Sequence, residues 1–116
     1  MVDPVQRGEI WWVDFGLPFG SEPGYRRPAI VLQIDSFNRS AIDTVIVVPL
    51  SRNVALANAP GNVLCRARET GLPSASVANI SQLTVVDRRR LAERESSLPA
   101  QVLQRVEQGV RLVLGV

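Results

Sequence analysis

Apolar residues fall in short clusters along most of this chain, and only near its end do they take up a helical spacing. Residues 8 to 15, Gly-Glu-Ile-Trp-Trp-Val-Asp-Phe, are rich in aromatic and β-branched types and predict a first strand, buried on both faces at its middle. Side chains alternate along a strand, so Trp11 and Trp12 point to opposite sides. Pro28 to Asp35 and Asp43 to Leu50, dominated by Ile, Val and Leu, predict two more strands with a polar turn around Asn38 between them. A short strand at Asn62 to Arg66 comes next, and the Gly71-Leu72-Pro73 turn leads into another at Ser76 to Ile80. Gln82 to Val86 continues as a further strand or a bent continuation, followed by Arg88, Arg89 and Arg90. Behind Pro99, Val102, Leu103, Val106, Val110 and Val113 recur at helical intervals, which predicts a C-terminal amphipathic helix packed on its own domain.

Two segments break this pattern. Residues 16 to 27 hold three glycines and two prolines, which suit a long, specifically shaped loop and no element interior. Residues 52 to 61 have low bulk and no clear period, and predict a second, mobile loop. Long loops in small domains tend to carry function. Five or six short strands with one closing helix and no βαβ alternation point to a mainly β fold, a small, strongly bent barrel of the SH3-like kind. At 116 residues the chain has room for one domain, read as residues 1–116, with no internal repeat or linker.

Composition narrows the function classes. Val45 to Leu50 is a short apolar run interrupted by Pro49, far below the roughly 20 residues of a membrane helix. The first residues lack the order of a secretory signal and Cys65 is the single cysteine, so a cytoplasmic protein is expected. All 13 basic residues are arginine, the better phosphate fork, although a GC-rich genome accounts for that choice equally well. Histidine is absent, which removes the commonest general base and the commonest metal ligand together. Any hydrolytic chemistry must use other groups, and neither a metal nor a cofactor is expected.

Candidate chemistry gathers at two strand ends. Gly20-Ser21-Glu22-Pro23-Gly24-Tyr25-Arg26-Arg27-Pro28 places an acid, a phenol and two guanidinium groups at the mouth of a strand, a cluster able to grip an anion. Pro28 biases Arg27 toward extended backbone, which fixes its launch point and turns Arg26 the other way. The competing reading is a solvated loop in which Glu22 pairs with an arginine at little energetic gain. At the second strand end, Val47-Val48-Pro49-Leu50-Ser51-Arg52 sets a hydroxyl and a guanidinium just past a buried run. Ser51 reads equally as an ordinary turn residue unless it neighbours Arg27.

Taken in order, Gly8-Glu9-Ile10-Trp11-Trp12-Val13-Asp14-Phe15, Gly20-Ser21-Glu22 with Arg27-Pro28-Ala29-Ile30-Val31-Leu32, and Val48-Pro49-Leu50-Ser51 resemble the MazF/PemK ribonuclease toxins. That family is close in fold to the gyrase poison CcdB. Gly71-Leu72-Pro73, Ser76-Val77, Gln82, Val86-Asp87 and Leu91 resemble the family's second half, so the similarity covers nearly the whole chain. The Gly-Ser-Glu to Arg-Pro segment is its specific part. The resemblance implies a symmetric homodimer of CcdB/PemK-type barrels that cuts single-stranded mRNA, inhibits growth and is neutralised by a cognate antitoxin. It implies Arg27 and Ser51 as catalytic residues, with Glu22 as a supporting loop acid. Two positions depart from the family pattern: Ser51 stands for the usual threonine, and Ser81 precedes Gln82 where an acid is common.

This chemistry fits a chain without histidine. RNA carries its own nucleophile, the 2′-hydroxyl, and an enzyme that aligns it with the adjacent phosphorus needs no nucleophilic side chain. Charge grows on the nonbridging oxygens during attack, where a guanidinium from Arg27 and a hydroxyl from Ser51 stabilise the transition state. The expected products are a 2′,3′-cyclic phosphate and a 5′-hydroxyl. Arg26, Arg52, Arg66, Arg68 and Gln82 are candidate contacts to the RNA, with Phe19 and Tyr25 as candidate stacking partners for bases. Two other functions fit the same fold: a non-catalytic member that binds RNA or antitoxin, and a gyrase poison. The second uses an aromatic near its C-terminus, whereas this chain ends Arg-Leu-Val-Leu-Gly-Val.

Overall fold

The computed structural model describes residues 5–116. Strands β1 (Glu9–Asp14), β2 (Arg26–Val31), β3 (Thr44–Ser51), β4 (Val63–Cys65), β5 (Ser76–Ala78), β6 (Thr84–Asp87) and β7 (Leu91–Ser97) form one antiparallel, barrel-like sheet. Its order is β4-β5-β3-β2-β1-β7, with β6 also pairing to β3. Helix α3 (Ala100–Leu114) closes one side, and the short helices α1 (Asp35–Asn38) and α2 (Ala67–Thr70) sit in connections. No helix among the described residues is long and apolar enough to cross a membrane.

The long strand β3 bends the sheet by changing partner along its length. Its first half pairs with β6, ending at Val47 with Thr84, and its end pairs with β5, beginning at Leu50 with Ala78. Pro49 falls in the gap. A strand residue's N–H and C=O face the same neighbour, and the Pro49 carbonyl accepts the Asn79 amide at 3.0 Å. The missing proline N–H therefore lies where no ladder bond is required of it.

Two apolar clusters line opposite faces of the β1–β2–β3 ribbon. Ile10, Ile30, Val48 and Leu50 pack under Val102 and Val106 of α3, with Trp12, Leu103 and Val110 at the margin. Trp11, Val13, Ala29, Val31 and Val47 form the other cluster with Val86 and Leu91. The two tryptophans thus face opposite sides, as alternation predicts, and the C-terminal helix packs on its own barrel. Gly109 lets α3 approach the chain at Gly61, since a Cβ there would stand 2.1 Å from the Gly61 carbonyl oxygen.

The structure corrects three sequence expectations. The second strand ends at Val31, short of Asp35, because the polar groups of the following segment turn inward. Buried Asn38 accepts the Gln33 amide at 3.0 Å and donates to the Gln33 carbonyl at 2.8 Å and to Asp35 at 3.1 Å, so α1 replaces the expected turn. Arg88 ties the same segment down by donating to the carbonyls of Ile42 and Asn38, both at 2.7 Å. The loop at 52–61 contains a 3-10 turn at Val54–Asn58. Strand β7 was not expected at all, because its residues are mostly charged or hydroxylic and only Leu91 is buried. It is an edge strand held by side-chain pairs: Arg94 bonds the buried Glu9 at 2.6 Å, and Glu95 accepts the Trp12 indole N–H at 2.8 Å.

Candidate active site

Residues 16 to 25 leave the barrel as one loop with a closed stem. The Tyr25 amide donates to Gly16 at 2.6 Å and the Phe15 amide to Tyr25 at 2.8 Å. Tyr25 takes a positive φ of 61°, a conformation costly for a bulky residue and met at sites where the surrounding fold imposes it. Inside the loop Gly24 lies against Pro18, with space for no side chain: a Cβ would come within 2.6 Å of the proline ring. This tight turn directs the Gly24 carbonyl at Arg27, whose Nε donates to it at 3.0 Å.

Arg26 and Arg27 diverge from adjacent positions of β2, opposite Asp14 and Val13 of β1. Arg26 lies over the Trp12 ring, 5.4 Å from its centre, and pairs with Glu93 of β7. Arg27 makes no ion pair among the described residues, which leaves its two terminal nitrogens free for an anion.

Two cavities meet at Arg27. The smaller, about 200 Å³, is lined by Glu22, Arg27, Ser51, Asn79 and Gln82, with Leu50 and Leu56 as its apolar part. All three residues expected to carry catalysis thus share one cavity although they come from a loop and two different strands. Ser51 does serve as a turn residue, since its Oγ accepts the Asn53 amide at 3.1 Å, but that bond uses a lone pair and leaves the hydroxyl proton to donate. Glu22 forms no ion pair among the described residues, so the solvated-pair reading of the loop does not describe this structure. Gln82 has a structural task as well, donating to the Ser21 carbonyl at 2.7 Å and so holding the loop to the barrel.

The larger cavity, about 480 Å³, is lined by Trp12, Tyr25, Arg26, Arg27 and Arg52, with Leu50, Leu72 and Pro73 contributing apolar surface. Tyr25, Arg26 and Arg52, expected as RNA contacts, line this cavity beside Arg27. Phe19 is 82% exposed on the loop and lines neither cavity. Arg66 and Arg68, exposed at α2, also stand outside both. Among the described residues no three carboxylate or cysteine side chains gather as a metal-binding set.

Sequence reading missed Trp12, Glu93 and Asn79 as parts of this region, and placed Gly24 in the loop cluster without its role of holding Arg27. Asn79 was the most accessible, a polar residue between the buried Val77, Ala78 and Ile80. Glu93 belongs to the strand that the pattern did not reveal.

Residues 6–114 match the family described as PemK-like, MazF-like toxin of type II toxin-antitoxin system. Endoribonuclease MazF6 of Mycobacterium tuberculosis is 41% identical over 110 residues, covering 95% of this chain and 96% of the relative. The crystal structure of MazF from Deinococcus radiodurans superposes with a TM-score of 0.82 at 28% identity, covering 97% of both chains. A MazE-MazF structure from the same organism gives 0.77 at the same identity and coverage.

Proposed function

This chain belongs to the PemK-like, MazF-like toxin family of type II toxin-antitoxin systems, and from that premise we propose that Arg27 and Ser51 form the charge clamp with which it cleaves RNA. The protein is an endoribonuclease toxin, neutralised by a cognate antitoxin. The observation that carries the site assignment is the meeting of Arg27, Ser51 and Glu22 in one cavity, with the Arg27 terminal nitrogens unclaimed by any carboxylate among the described residues.

In the proposed reaction the 2′-hydroxyl of single-stranded RNA attacks the adjacent phosphorus. Glu22, among the described residues the only carboxylate lining the small cavity, takes the hydroxyl proton. Arg27 and Ser51 donate to the nonbridging oxygens as their charge grows, and a donor of this kind is worth roughly 3 to 4 kcal/mol in the transition state. The P–O5′ bond breaks, the departing oxygen takes a proton from water, the hydroxide so formed takes up the proton held by Glu22, and the products are a 2′,3′-cyclic phosphate and a 5′-hydroxyl. No metal is needed, because the nucleophile is built into the substrate and the guanidinium supplies the positive charge. The larger cavity receives a neighbouring nucleotide, its base against Trp12 and Tyr25 and its phosphate near Arg52. Arg66 and Arg68, outside both cavities, serve more distant phosphates, and Phe19 offers an exposed face to a base. The active form is a homodimer working in the cytoplasm on mRNA.

The test is cleavage of a long single-stranded RNA in excess EDTA, with the new ends characterised chemically. Wild-type protein is expected to generate cyclic phosphate ends. Arg27→Ala is expected to lower kcat by about 100-fold or more, and Arg27→Lys to recover little, since a point charge does not reproduce the two-pronged fork. An Arg27→Ala variant that cuts at the wild-type rate would remove Arg27 from the site.

A further inference from the structure

Asn79 lines the same small cavity as Arg27 and Ser51, and its orientation there is fixed by its neighbours. The Asn79 backbone amide is anchored on Pro49 of β3, the strand that ends in Ser51, at 3.0 Å. Its side chain meets Asn62. The Ile80 backbone N–H donates to Asn62 Oδ1 at 2.9 Å, which establishes that atom as oxygen and leaves Nδ2 as the donor end of the Asn62 amide. Asn62 Nδ2 then donates to the Leu56 carbonyl at 3.0 Å and to Asn79 at 3.3 Å, so the Asn79 atom facing it must be the acceptor, Oδ1. Ser81 Oγ also donates to that oxygen, at 3.5 Å. The Asn79 amide group is left as a donor with no acceptor among the described residues.

We propose that Asn79 is a third hydrogen-bond donor to the scissile phosphate, completing with Arg27 and Ser51 the set that stabilises the charge of the transition state. The inference rests on the reading of this cavity as the RNA-cleaving site. Charge at the pentavalent phosphorus is shared between two nonbridging oxygens, each able to accept more than one hydrogen bond. Arg27 has two terminal nitrogens and Ser51 one hydroxyl, so a further neutral donor has an acceptor to serve. Orientation by Asn62 and the Ile80 amide means that little reorganisation is required at the moment of reaction, which is the condition under which such a donor contributes most.

The experiment compares wild-type protein, Asn79→Ala and Asn79→Asp on an RNA with one cut site, and on the same RNA carrying sulfur in place of each nonbridging oxygen at that site in turn. Asn79→Asp retains an acceptor for Asn62 and has almost the same volume, so it preserves the local fold while replacing the free donor by an acceptor. The expected result for both variants is a kcat about 100-fold below wild type, with KM little changed and the cut position unmoved. For one of the two sulfur diastereomers, the rate penalty seen with wild type shrinks toward unity in the variants. The proposal is overturned if either variant keeps the wild-type kcat, if both diastereomers retain their wild-type penalty, or if the cut position moves, which would make Asn79 a reader of bases. Failure of the underlying site reading looks different: Arg27→Ala would itself cut at the wild-type rate, and this inference would fall with it.

Discussion

The Gly24 carbonyl holds Arg27 by its Nε, so the shape of the loop and the aim of the central guanidinium are one structural fact. Gly24 is held in turn by its contact with Pro18, which has no space for a Cβ. Gly24→Ala is expected to displace the loop without unfolding the barrel, because neither apolar cluster includes loop residues. A shift of about 1 Å at a positioning group can cost on the order of 100-fold in rate. The variant should therefore lose kcat on that scale while its Tm stays within a few degrees of wild type. Full activity in Gly24→Ala would mean that Arg27 finds its orientation without the loop.

Glu93 restrains the neighbouring arginine. Arg26 lines the larger cavity, yet its guanidinium is committed to Glu93 and stacked on Trp12, so a phosphate must compete with a carboxylate for it. Glu93→Gln is expected to release Arg26 to the RNA. Each phosphate neutralised on a single strand contributes a slope of about 0.7 in log affinity against log salt. The variant should therefore bind an uncleavable, 2′-deoxy-substituted oligonucleotide more tightly at low salt, with a slope steeper by up to that amount. Fluorescence anisotropy across a salt series measures both. An unchanged slope would show that Arg26 makes no phosphate contact, whatever its distance from the cavity.

The distribution of legible and illegible parts follows from how each is encoded. β1 and β3 could be read because each holds an unbroken run of β-branched, aromatic and other apolar residues, α3 because its apolar residues recur at helical intervals, and Arg27 could be singled out because Pro28 fixes its backbone and its surroundings form a motif. β7 could not, because Leu-Ala-Glu-Arg-Glu-Ser-Ser has no apolar alternation and is held by pairs such as Arg94 with Glu9, formed between residues remote in sequence. The α1 segment was hidden for a related reason: Asn38 is a turn former by type, and only the tertiary placement of Gln33 and Asp35 makes it a buried hub. Within the site, Arg27, Ser51 and Glu22 were visible as chemistry, while Gly24 through its carbonyl and Asn62 through its amide act by backbone geometry and by orientation that residue type does not display.

Gly109 tests the seat of the helix. Glycine inside a helix is about 1 kcal/mol worse than alanine, so on propensity alone Gly109→Ala would stabilise α3. The close approach to Gly61 reverses that sign, since the new Cβ would stand 2.1 Å from a backbone oxygen that cannot swing away. Overpacking of this kind costs about 1 to 3 kcal/mol and occasionally more. With backbone as the obstacle, the upper end applies and a net loss of about 2 kcal/mol is expected, visible as a Tm several degrees below wild type. A variant as stable as wild type would show that α3 slides along the barrel at little cost.

Cys65 gives stability a pH dependence at the alkaline end. Burial, with a smaller contribution from the Glu69 charge, pushes its thiol from an ordinary 9.0 up to about 11. Above about 9 the thiol of the unfolded chain ionises while the folded one keeps its proton, so unfolding releases a proton and becomes easier as pH rises. The stabilisation due to the buried neutral thiol is complete below the unfolded value and is lost between about 9 and about 11. The loss at the upper end of that window is on the order of 2 kcal/mol. Urea unfolding of wild type and Cys65→Ala at a series of pH values isolates this part, because every other titrating group is common to both proteins. Wild type should start more stable near neutrality, where the alanine leaves a small void, and the difference should narrow as the pH passes through the window. Burial itself keeps the thiol from disulfide reagents at neutral pH until the chain unfolds. Two parallel stability curves, or a thiol that reacts at once in the folded protein, would show that Cys65 is not sealed in the core.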